Sequence, residues 1–66
     1  MELLILKSNQ KYIRFKDDVY LLVSLDKASV FPMNQIDLVK LHESNLAEQG
    51  FQDVCIKKLV LTEEDL

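Results

Sequence analysis

A single proline and a single glycine, Pro32 and Gly50, are the only strong backbone punctuation in a chain of 66 residues. Proline fixes its own φ, removes an amide donor and pushes the preceding residue out of the helical region, so no helix crosses Pro32 from before. Glycine adopts the left-handed conformation that commonly ends a helix, so Gly50 marks a stop. The stretch between them repeats with a helical period, while the segments on either side alternate or turn on polar residues. This places one helix between two β-rich arms.

The spacing predicts a helix near 35–49. Asn34 is the expected N-cap, with Asp37 in the first turn, where a carboxylate favours the helix dipole. Met33 before the cap and Leu38 inside the helix fit a hydrophobic staple. At the other end, Gly50 with Phe51 packing back onto Leu46 reads as a Schellman stop. Ile36, Val39, Leu46 and Ala47 form the expected core stripe, and Leu41 falls nearly opposite it.

Before Pro32 the reading is of strands near 3–7, 11–16 and 19–25, in a meander turning at Ser8–Gln10 and at Asp17-Asp18. The third is apolar on both faces and is the expected central strand. Ala28–Phe31 reads as a short extended segment, and a last strand lies near 54–61. Residues 62–66 make an acidic tail expected to fray. The fold class that follows is α+β: a small, mainly antiparallel sheet of four to five strands, β-β-β-(β)-α-β, with one helix packed on one face. No linker or repeat divides the chain, so 1–66 is read as one domain.

Eight basic against eleven acidic side chains give a net charge of −3, the wrong sign for a general nucleic-acid binder. The charge is uneven, +1 over residues 1–30 and −4 over 31–66. Apolar residues at 48%, with so little Gly and Pro, argue against disorder. The Leu3–Leu6 run is too short for a signal peptide and lacks its basic flank, so the expectation is a cytoplasmic protein with a reduced thiol.

Catalysis and cofactor binding are not expected. His42 is the only imidazole and Cys55 the only thiol. Positions three and four from His42 are Leu38, Val39, Asn45 and Leu46, none of which ligates zinc. Cys55 reads as a small apolar residue packing in a core. Asp17-Asp18 is turn chemistry, and a chain with one glycine has no phosphate-cradling loop.

Two surfaces remain. Leu38 and Leu41, ringed by Asp37, His42 and Glu48, are the candidate partner-binding patch on the helix. Tyr12, Arg14 and Lys16, with Lys7 and Lys11 near the adjoining turn, are the candidate single-strand nucleic-acid face, since an aromatic among cations can stack bases and hold phosphates. Leu4, Leu6, Tyr20 and Leu22 read as a second apolar sheet face that one helix does not cover, which makes a homodimer economical.

Lys27-Ala-Ser-Val-Phe-Pro32, the helix after it, and the ending Gly50-Phe-Gln-Asp-Val-Cys-Ile-Lys-Lys-Leu-Val-Leu-Thr-Glu-Glu-Asp-Leu66 resemble short proteins of Gram-positive bacteria and their prophages. The resemblance implies a phage or mobile-element context and action by binding a larger protein; it assigns no functional residues. The expected function is accordingly a non-enzymatic protein–protein interaction module, acting sterically on a larger protein or as a homodimer. The alternative is a small single-stranded nucleic-acid-binding protein.

Overall fold

A computed structural model describes residues 1–66, in which five strands form one sheet and a single helix packs on it. The first three strands are β1 (Glu2–Ser8), β2 (Lys11–Lys16) and β3 (Val19–Val23), and they form the expected meander. Lys16 pairs with Val19 across Asp17-Asp18, and both turn residues have positive φ, 52° and 60°. That is the backbone of a type I′ hairpin, whose twist matches that of its strands and which aspartate tolerates. β4 (Phe31–Pro32) pairs with the start of β1, and β5 (Val54–Val60) runs antiparallel along the whole of β1.

The central strand is therefore β1, and the expectation for the third strand is overturned. β3 pairs only with β2 and lies at the sheet edge, with Val19, Leu21 and Leu22 43–54% exposed. Apolar residues on both faces of a strand signal cover on both faces, and β3 has no such cover. It also ends at Val23; Leu25 belongs to a 3-10 turn over Leu25–Lys27.

β2 pairs with β1 only next to their turn, at Lys7–Tyr12 and Ser8–Lys11. Beyond it the strands part, and Ser29 fills the gap. Its amide donates to the carbonyl of Ile13 at 3.0 Å, and its hydroxyl accepts from the amide of Phe15 at 2.8 Å. Two residues later the chain pairs with β1 as β4, so one short segment bridges the edges of both strands.

The helix, α1, spans Ile36–Glu48 and is entered through a 3-10 turn at Met33–Gln35. Asn34 sits inside that turn instead of capping, because Pro32 at its start already sets the entry angle. The cap position falls to Gln35, which makes no side-chain cap bond. Met33 and Leu38 are each over 40% exposed, not sealed together as a staple would be. The C-terminal end matches expectation. Gly50 has φ 96°, its amide donates to Ala47, and the amide of Phe51 donates to Leu46, the paired bonds of a Schellman motif.

Leu4, Leu6, Ile13, Val39 and Leu46 make the core, with Tyr20, Phe31, Ile36, Phe51, Val54 and Ile56 packed around them. Leu4, Leu6 and Tyr20 thus lie beneath the helix, where they had been expected on the uncovered face. Ala47 is exposed, since it stands one residue round the helix from Leu46. No helix is long and apolar enough to cross a membrane.

Candidate binding surfaces

His42 overturns one expectation outright. It lies three residues after Val39 and four before Leu46, so it shares their stripe and points into the sheet, 7% exposed. Its Nδ1 is 2.6 Å from the Tyr20 hydroxyl. The rings of Phe15, Phe31 and Tyr20 surround it at centroid distances of 4.7, 5.6 and 5.6 Å. Desolvation in this aromatic setting holds the imidazole below its ordinary pKa, and no carboxylate offsets that. His42 is a core residue hydrogen-bonded across the helix–sheet interface, and it does not belong to a patch containing Leu41.

The rest of the helix patch faces outward. Leu38 is 41% and Leu41 57% exposed, with Asp37 and Glu48 exposed on the same side. Two leucines three residues apart are neighbours on a helix, but they leave only a small apolar spot flanked by carboxylates.

The face of the sheet turned away from the helix has more to offer. Residues paired across a sheet share a face, and alternate residues along a strand do so too. The pairings Lys7–Tyr12, Tyr12–Val23, Arg14–Leu21, Lys16–Val19, Lys7–Cys55 and Ile5–Lys57 therefore put all these side chains on that side. Ile5 is buried yet stands apart from the core cluster, which confirms the second face. Of the expected basic residues, Lys7, Tyr12, Arg14 and Lys16 come together here. Lys11 does not: it pairs with Ser8 on the helix side. Lys57 joins them, and only the register of β5 against β1 reveals it, since the two residues are far apart in the chain.

The acidic residues are elsewhere. Glu2 is the only carboxylate on any strand; it lies on the helix side and pairs with Lys58 at 3.1 Å. The helix-free face thus carries Lys7, Arg14, Lys16 and Lys57 with no opposing carboxylate among its strands, in a chain that is acidic overall. Between the cations lie Leu3, Val19, Leu21, Val23, Cys55 and Leu59. Tyr12 is the single aromatic, and the Lys7 ammonium lies 5.4 Å from its ring centroid, over the surface a base would stack on.

The single thiol and the single imidazole lie on opposite sides of the sheet. Cys55 is half-buried on the helix-free face, not in the core, so the sheet separates it from His42. No three His, Cys, Asp or Glu side chains converge on a point. One open groove lies beside Ser8, Asn9, Leu22 and the Gln49–Gln52 turn, and it holds no ionisable side chain. Compared with known proteins, the chain matches no family model, no curated protein and no solved structure.

Proposed function

We propose that this chain is a non-enzymatic interaction module that docks an acidic surface of a partner protein on its helix-free sheet face. The observation that carries this reading is the segregation of charge: Lys7, Arg14, Lys16 and Lys57 share one face that no strand carboxylate neutralises. Such a face concentrates positive potential, steers an acidic partner and rejects basic ones. Arg14 adds a planar fork that can grip a carboxylate through two bonds. The aliphatic side chains between the cations supply area whose burial stabilises a complex at roughly 25 cal/mol per Å² before the costs of association.

A protein partner fits this face better than single-stranded nucleic acid, for two reasons. Base stacking needs free aromatic surface, and the one tyrosine is already covered by Lys7. The remaining contact area is aliphatic, which suits the apolar side chains of a protein partner better than bases.

The test is a comparison of variants in capture from the native host and in oligonucleotide binding. Arg14→Glu with Lys16→Glu should abolish the partner captured by the unmodified chain, while Leu41→Asp, on the other side of the molecule, should leave it captured. Loss with Leu41→Asp alone would move the docking site to the helix. Single-stranded oligonucleotide binding at low salt that falls steeply as salt rises would replace the protein partner with nucleic acid.

A further inference from the structure

The free edge of β3 is unlike the rest of the sheet boundary. Edge strands are ordinarily protected by charge, proline or a covering element, because their unpaired amides and carbonyls accept another strand. β5 has Lys57 and Lys58 at its middle and β4 contains Pro32. β3, Val19-Tyr-Leu-Leu-Val23, has no charged residue and no proline, and nothing pairs with its outer edge. The helix packs mainly over β1 and β5 and reaches β3 through Tyr20, whose hydroxyl bonds His42, while no strand pairs with the outer edge of β3.

Which backbone groups face outward follows from the bonds of β2. Ile13 and Phe15 turn their backbone groups to Ser29, away from β3. In an antiparallel ladder the direction alternates, so Tyr12, Arg14 and Lys16 bond β3 through their partners Val23, Leu21 and Val19. Tyr20 and Leu22 then present their amides and carbonyls to solvent. The geometry points to a second copy of this chain as the occupant, with β3 pairing antiparallel to β3 about a two-fold axis at Leu21.

In that register Tyr20 of each copy stands opposite Leu22 of the other, and every outward donor meets an outward acceptor in about four interchain bonds. Leu21 meets its own counterpart in the close, non-hydrogen-bonded position, and Val19 meets Val23. No charged pair is opposed anywhere along the strand. These side chains are 43% (Leu21), 52% (Val19) and 54% (Leu22) exposed in the single chain, so pairing removes apolar surface from water as well. Direct stacking of two helix-free faces would instead set cation against cation, which leaves the edge as the self-complementary surface. The two-fold axis stands perpendicular to the sheet, so both basic faces lie on the same side of a continuous sheet. The two Arg14 residues are then three strand spacings apart, roughly 14 Å. The interface is independent of what the basic face binds, so either proposal can fail without the other.

Sedimentation equilibrium on the full chain tests it, with circular dichroism confirming that each variant is folded. The expected result is a dimer whose mass falls twofold when the Leu22 amide is N-methylated in a chemically synthesised chain, because that group takes no part in the monomer fold. Leu21→Lys and Leu21→Glu should each be monomeric, since the axis sets like charges against one another, and mixing the two should restore a dimer. A chain monomeric at about 1 mM overturns the proposal. So does a dimer indifferent to these changes, or one lost only with Leu41→Asp.

Discussion

Removing one oxygen atom tests the bond between helix and sheet. Tyr20→Phe deletes the hydroxyl 2.6 Å from His42 Nδ1 and keeps a ring able to pack on Phe15, His42 and Phe51. Shape and apolar area are nearly conserved, so the effect isolates the hydrogen bond. His42 is 7% exposed, so Nδ1 is left without a partner or with a poorly placed water, at a cost of about 1–3 kcal/mol. For a domain of this size each kcal/mol corresponds to roughly 4–8 °C in Tm. His42→Leu removes the other partner, and the double variant leaves no polar group unpaired. Its destabilisation should therefore be smaller than the sum of the single changes, with a coupling of about 0.5–3 kcal/mol. Thermal and urea melts followed by circular dichroism at neutral pH give all the numbers. A Tyr20→Phe variant within about 0.5 kcal/mol of the parent, or strictly additive single changes, would refute the reasoning and leave His42 as mere filler.

The same imidazole predicts a pH dependence. Its folded pKa lies below the ordinary 6.5, so its stabilising contribution is complete above that value and is lost as pH falls through the window beneath it, where the unfolded chain takes up a proton first. The slope should not exceed about 1.4 kcal/mol per pH unit, and denaturant melts should show it flattened in His42→Leu. Gly50→Ala meets no atom within 4 Å of the new Cβ, so only the backbone strain at φ 96° counts; chemical denaturation should report a loss of about 1–2 kcal/mol. Leu46→Ala, at a side chain with 0% exposure in a core of five, should cost about 2–5 kcal/mol and leave the chain largely unfolded by circular dichroism.

Local chemistry was the legible part of this chain. Asp17-Asp18 and Gly50-Phe51 could be read as turn and helix stop because the residues that set the backbone lie next to one another. The helix was readable from its period. His42 is polar by type, yet its position between Val39 and Leu46 puts it on the buried stripe. What the sequence could not display was register. Whether β1 or β3 is central, that Lys57 stands opposite Ile5, and that Leu4 and Leu6 face the helix all depend on pairing between residues far apart in the chain. Runs such as Leu3–Leu6 and Val19–Val23, apolar at consecutive positions, do not reveal which side meets the core. Pairing resolves it, of β1 with β5 for the first run and of β3 with β2 for the second.

That pairing also sets the order in which the molecule can be assembled. β1, which leaves the ribosome before the other four strands, is joined along its whole length to β5, which leaves it after them, and Met1 and Leu61 close the ladder with bonds of 2.8 and 3.0 Å. The β2–β3 hairpin and α1 can form from local contacts as they emerge, but β1 has no partner on its long edge until β5 is complete. Closing so large a loop is entropically slow, so the rate-limiting event should be the docking of β5, and the chain should fold more slowly than its length alone implies. Until then the β5-facing edge of β1 stays unpaired, and the nascent chain is at its most vulnerable to mispairing.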